Sequence, residues 1–226
     1  MDTSEPEINF DNLKAMFWEA NRAFLENHAS LLKRELSERC LCGALMYELN
    51  KQLEKKDLKN YHADIEFNRV IKMATNKVKQ LPDEKGTPKH IFPDIIVHNR
   101  SEENPDNLLA LEMKKSTARG YAKEIDKNRL SLLTSLYTYK YKLGVYYEIN
   151  HKKGQIVVEF YQTGRRISTD SRVIEYKITE EGGYRIAVYI IYPYKPYSNY
   201  SQACLIFYSL LCNKAWNYVS GLWILV

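Results

Sequence analysis

Two stretches decide the reading of this chain: Phe92-Pro93-Asp94-Ile95-Ile96-Val97-His98, and Leu108-Leu109-Ala110-Leu111-Glu112-Met113-Lys114-Lys115. Both are short apolar strands, and a polar turn with Pro105 joins them. Side chains two apart on a strand share a face. Glu112 and Lys114 therefore point one way, and Leu109, Leu111 and Met113 point the other way, into a core. A neighbouring strand carrying Asp94 sets its carboxylate beside Glu112. Two carboxylates that close repel, and a divalent cation relieves the repulsion. Hard oxygen donors suit Mg²⁺ or Mn²⁺. A protonated Lys114 does not ligate metal, but it can orient a water or stabilise charge on a phosphate. This set of parts suits phosphodiester hydrolysis. The plain alternative is a solvated strand face with Glu112 and Lys114 paired across it. Strands this apolar are usually buried, however, and a buried charge needs a partner or a metal.

Outward from this pair, periodicity places the other elements. Leu13, Phe17, Ala20 and Phe24 predict a helix over 8–27. A second, longer helix is predicted over 30–56, with Ser30 as its cap and Leu31, Leu41, Leu45 and Leu49 along one stripe. Residues 61–71 alternate as a strand. A helix is predicted over 118–138, with Tyr121, Ile125, Leu132 and Leu136 near one face. Strands follow at 143–149 and 155–161 across a Lys152-Lys153-Gly154 turn. The strand around Val145 is expected to reach its neighbour by a helical crossover, hence in parallel. Residues 173–178 and 184–192 read as a hairpin through Glu181-Gly182-Gly183. The apolar tail, 203–226, approaches the length of a membrane helix. Asn213, Lys214 and Asn217 interrupt it, which favours a packed terminal helix and no membrane partner.

Ser37-Glu38-Arg39, Asp64-Ile65-Glu66-Phe67-Asn68-Arg69, the two strands quoted first and Asp126-Lys127-Asn128-Arg129-Leu130 together resemble the PD-(D/E)-x-K, or restriction-endonuclease-like, nuclease superfamily. The likeness is closest to its small uncharacterised bacterial members and spans about residues 31–161. It implies an α/β fold with a central mixed sheet flanked by helices, with the core at 31–164. Outside that core an N-terminal helix (1–30) and an irregular C-terminal extension (165–226) are expected, and 165–226 matches no part of the family pattern. The likeness also implies that Asp94 and Glu112 bind metal, that the Met113 carbonyl assists, and that Lys114 is catalytic. Many members carry an acidic residue on the first core helix facing the metal, which is the position of Glu38. Two placements are open for Glu38: inward on the leucine stripe, or at the helix edge paired with Arg34 or Arg39. Glu66 is likewise open between the site and solvent. The superfamily includes DNA-directed, RNA-directed and inactive members. The expected activity is metal-dependent cleavage of DNA, and the alternative is an inactive nuclease-fold binding or scaffold module.

Lys115, Arg119, Lys123, Lys127 and Arg129 make the following helix basic. Lys115, Lys123 and Lys127 are the candidates for phosphate contact, against the simpler reading of a solvated face. His98 reads as a surface histidine. The net charge of +5 over 226 residues is compatible with a polyanionic partner without requiring one. None of Cys40, Cys42, Cys204 and Cys212 forms a Cys-x-x-Cys pair, and reduced, packed thiols are expected. The acidic start, with Asp2, Glu5 and Glu7, lacks the basic-then-apolar pattern of a secretory signal. A cytoplasmic protein is expected. Oligomeric state is not legible.

Overall fold

Ile95–His98 (β4) is buried along its whole length, and Asn107–Lys115 (β5) is buried from Leu108 to Met113. Strands without a polar face must lie inside a sheet covered on both sides, and these two do. The structure, a computed structural model, describes residues 8–68, 78–83, 86–101 and 103–179, and the backbone of three further strands at 185–193, 216–219 and 222–225. β4 pairs antiparallel with His62–Ile65 (β1) on one side and with β5 on the other. β5 then pairs in parallel with Leu143–Asn150 (β6), and Gly120–Thr134 (α4) makes the crossover. Gln155–Gln162 (β7), Arg165–Thr179 (β8) and Arg185–Pro193 (β9) continue the sheet antiparallel. Trp216–Val219 (β10) and Leu222–Leu225 (β11) complete it, in the order β9-β11-β10. The predicted hairpin of 173–178 with 184–192 corresponds to β8 and β9. The fold is thus mixed α/β, a mixed sheet flanked by helices.

Phe10–Asn27 (α1) and Glu38–Lys55 (α3) cover one face. Phe17, Phe24, Leu41, Leu45 and Leu49 pack there with Leu109, Leu111, Met113, Val145 and Phe160. α4 covers the other face, setting Leu130 and Leu133 against Ile96, Ala110, Tyr146 and Tyr161. Gly144 in β6 makes that contact possible. A Cβ there would stand 2.9 Å from both Thr134 Cγ2 and Tyr161 Cβ, so only glycine lets the last turn of α4 rest on the sheet.

Several expectations are corrected. The predicted helix over 30–56 is broken. A short Ala29–Lys33 helix (α2) ends as Glu35 enters the left-handed region at φ 52°, with the Leu36 N–H returning to the Leu31 carbonyl. Ser37, not Ser30, is the cap of α3; it is extended and its hydroxyl accepts from the Cys40 N–H at 3.3 Å. The strand expected over 92–98 keeps only its last four residues, because the chain before it is held elsewhere, the Ile91 N–H by the Lys79 carbonyl, and Pro93 has no N–H to give. The helix over 118–138 is shorter, and its predicted inner face is wrong. Tyr121, Ile125 and Leu136 are exposed, while Asp126, Leu130, Leu133 and Thr134 are buried. The polar link after β1 carries a small two-stranded sheet, Gln80–Pro82 (β2) with Pro88–His90 (β3). Within the tail the described segments are strands rather than a helix; 203–215 lies outside the described residues, as do Glu181-Gly182-Gly183 and residues 69–71 of the strand predicted after 61. No helix among the described residues is long and apolar enough to cross a membrane.

Candidate active site

β5 runs on past the end of β4. Its N–H groups at Met113 and Lys115 therefore lose their ladder partners on that side and must be satisfied otherwise. Two carboxylates do this. Asp94, immediately before β4, accepts from the Met113 N–H at 2.7 Å. Glu38, in the first turn of α3, accepts from the Lys115 N–H at 2.8 Å. The Ser37 cap starts α3 at the right residue for that reach. Of the two placements open for Glu38, the structure adopts the inward one, while Arg39 pairs with Glu66 at 3.1 Å.

The β4–β5 register sets Ile95 against Leu111 and Ile96 against Ala110. One step further, Asp94 comes opposite Glu112. Ala110 packs under α4, so Glu112 and Lys114, two and four residues on, point toward α4 as well. Met113 faces the main core on the other side, its sulfur 3.7 Å from Cys42 Sγ. Glu112 has no exposed surface. Its Oε1 accepts from Arg129 at 2.9 Å, and its Oε2 is buried with no hydrogen-bond partner. Lys114 Nζ lies 3.0 Å from Asp126 Oδ2 and 3.8 Å from Glu38 Oε2. Arg129 also approaches Asp126 Oδ1, at 3.3 Å. The cluster thus gathers the expected Asp94, Glu112, Lys114 and Glu38, with Asp126 and Arg129 added from α4.

The electrostatics follow from this crowding. Burial pushes the Glu112 carboxyl well above its ordinary 4.5, with Asp94 and Asp126 adding to the rise and Arg129 opposing it. Burial likewise raises Asp94, against the Met113 N–H and Lys114. Burial works to lower Lys114, but Asp126, Asp94 and Glu38 outweigh it and hold the ammonium charged. Arg129 is stabilised in the same way by Glu112 and Asp126. Counted in their ordinary ionised forms, the four carboxyls (Glu38, Asp94, Glu112, Asp126) and the two cations (Lys114, Arg129) sum to two negative charges, which is why crowding there favours a proton or a further cation.

Asp126 and Arg129 were not assigned to the site from the sequence. The available signal was their spacing: three apart on a helix they share a face, and that face looks onto β5. The basic residues of α4 behave differently from an open phosphate-binding row. Lys123 Nζ is 2.8 Å from Glu148 and also donates to the Ser116 carbonyl, and Lys127 Nζ is 3.2 Å from Glu159. Lys115 Nζ donates to the Glu35 carbonyl at 2.9 Å. His98 is corrected from surface to core. It is 4 % exposed, 3.0 Å from Asp64 and packed on Phe67, and Asp64 is also paired with Arg100. Beside it Lys79 is buried, 2.7 Å from the Tyr141 hydroxyl and within 5.9 Å of the Phe67, Tyr139 and Tyr141 ring centres. Burial draws its pKa down to about 8.

Compared with known proteins, the chain matches no family model, no curated protein and no solved structure. Among the described residues, no group of three or more His, Cys, Asp or Glu side chains is placed to hold a metal ion.

Proposed function

We propose that this chain is a divalent-metal-dependent nuclease of the restriction-endonuclease-like kind, hydrolysing phosphodiester bonds in DNA. The observation that carries the reading is Glu112: a carboxylate without exposed surface, one oxygen unpartnered, on the same sheet face as Asp94. Burying such a group is costly unless a cation accompanies it. Asp94 and Glu112, with the Met113 carbonyl, are the groups to hold Mg²⁺ or Mn²⁺. Mg²⁺ commonly sits on one or two carboxylates and keeps several waters, so a site short of three protein carboxylates fits it. The formal excess of two negative charges in the cluster equals the charge of one such ion. Bound there, the ion supplies a more acidic water and a polarised phosphate. Asp94 and Glu38 do double work, since they also close the end of β5 and so fix the position of Lys114 between Asp126 and Glu38. Lys114, held charged, is the group that would stabilise negative charge on a phosphate.

A second reading has one observation in its favour. Lys114, Arg129, Lys123 and Lys127 are all engaged with carboxylates of the same fold. A binding or scaffold module that keeps this fold without turnover would look the same. Calorimetric titration with Mg²⁺ and Mn²⁺, together with a nicking assay on supercoiled plasmid, separates the two. Metal binding with metal-dependent nicking that Lys114→Ala abolishes supports the nuclease. Metal binding with no cleavage of DNA or RNA supports the module, and no metal binding removes the first reading.

A further inference from the structure

Arg129 is the cation that touches Glu112, and it does so in the place where the metal reading puts a divalent ion. Its guanidinium lies between two acids. Glu112 on β5 holds it at 2.9 Å, and Asp126, one turn earlier on its own helix, stands 3.3 Å away. Both acids are almost fully buried, whereas the Arg129 side chain keeps about a quarter of its surface open (23 %). It can therefore shift toward Asp126 without leaving the cluster. Lys114 is differently placed, because its nearest acids are Asp126 and Glu38 rather than Glu112. From this geometry we infer that Arg129 is an internal counter-ion that competes with the divalent cation for Glu112 and so sets the metal affinity of the site.

The physical argument concerns charge. Glu112 is buried at a cost that a neighbouring cation offsets. In the metal-free protein Arg129 supplies that cation. A divalent ion arriving at Glu112 meets a like charge within a few ångströms in a water-poor site, where repulsion is strong. Binding thus includes the work of moving Arg129 away, with Asp126 as its acceptor. Removing the charge of Arg129 removes both the competition and the repulsion. Metal binding should then tighten, the reverse of what loss of a ligand produces. This inference rests on the metal-dependent reading above, and the test keeps the two apart.

Wild type, Arg129→Gln, Arg129→Ala and Arg129→Lys are titrated with Mn²⁺ by calorimetry on the full chain, with thermal melts run with and without Mn²⁺. The two neutral variants should bind about tenfold tighter or more, the factor that corresponds to 1.4 kcal/mol. Arg129→Lys, which keeps the charge, should stay at the wild-type value. Binding by Arg129→Gln that is equal to or weaker than wild type overturns the inference and leaves the metal site standing. Equal tightening in Arg129→Lys and Arg129→Gln also overturns it, by assigning the effect to bulk. Absence of binding in every variant overturns both readings. If neither neutral variant folds without metal, recovery of a cooperative melt on adding Mn²⁺ supports the inference, and failure to recover it overturns the inference.

Discussion

Replacing Glu112 by glutamine should make the metal-free protein more stable while abolishing its response to metal. The side chain has no exposed surface, and burial holds its carboxyl well above the ordinary 4.5. The folded chain holds the Glu112 proton more tightly than the unfolded chain does, so ionising the group as pH rises above 4.5 costs folding free energy even with Arg129 beside it. The folded state then binds more protons than the unfolded one, and stability falls as pH rises through this window, by at most about 1.4 kcal/mol per pH unit. By pH 7 that cost is bounded at about 3 kcal/mol. Glutamine is neutral in both states and escapes it. The variant gives up the 2.9 Å ion pair with Arg129, which retains Asp126. Allowing for that loss, Glu112→Gln should gain about 1–2 kcal/mol at pH 7 in EDTA, because Arg129 keeps Asp126 and some solvent exposure and is not left as the uncompensated buried charge that makes removal of one partner costly. At about 2–4 °C per kcal/mol for a chain of this size, the melt should rise by about 2–8 °C. The advantage should shrink toward zero near pH 4.5. With Mg²⁺ at a hundred times its dissociation constant, wild type should recover about 2.7 kcal/mol, and the variant should recover none. Thermal melts from pH 4.5 to 8, with EDTA or with Mg²⁺, provide the measurement. A variant less stable than wild type at pH 7 without metal would refute the reasoning, because the Arg129 pair would then outweigh the burial of the charge.

Lys114→Ala should leave calorimetric Mg²⁺ affinity close to wild type and remove most plasmid nicking, since the ammonium acts on water or phosphate rather than on metal. Asp94→Ala should lower both metal affinity and nicking, and should also cost about 1–3 kcal/mol in a chemical melt by orphaning the Met113 N–H. Gly144→Ala should destabilise by about 1–3 kcal/mol, because its Cβ would press on Thr134 and Tyr161; a melt indistinguishable from wild type would show that α4 can shift freely. For Lys79, whose folded pKa of about 8 lies below the ordinary 10.5, the folded state binds fewer protons between these values, so stability should rise from pH 8 toward pH 10.5. Lys79→Met should lack that rise, and parallel curves for the two proteins would remove the proposed burial cost.

Much of the central sheet was legible because strands buried on both faces leave an unmistakable apolar run. β4 lies inside its expected segment, β5, β6 and β7 each overrun theirs by one residue at one end, and the parallel β5–β6 pairing followed from the helix between them. The triplet Glu112-Met113-Lys114 announced its two faces by alternation alone. Other features were hidden for physical reasons. The break at 34–37 depends on the left-handed Glu35, a conformation that glutamate rarely advertises. The inner face of α4 was misread because half of it is charged. Periodicity looks for leucines, whereas Asp126, Lys123 and Lys127 meet acids and a lysine on the sheet. His98 misled for the same reason, as its burial is offset by Asp64. The strands of the tail rest on pairing with β9, a contact distant in sequence that no local pattern carries.

The seam between α4 and the sheet has a consequence for how that helix is addressed. Leu130 and Leu133 hold its C-terminal end, but residues 123–129 meet β5, β6 and β7 through Lys114–Asp126, Arg129–Glu112, Lys123–Glu148 and Lys127–Glu159. Apolar contacts tolerate sliding, because one methyl replaces another at small loss. Ion pairs of mixed sign do not, since a shift of one residue turns a helix by roughly 100° and brings each charge to the wrong neighbour. The order of charges along α4 therefore works as a key. It admits this helix in one rotation and one depth, and it would reject another helix of equal hydrophobicity.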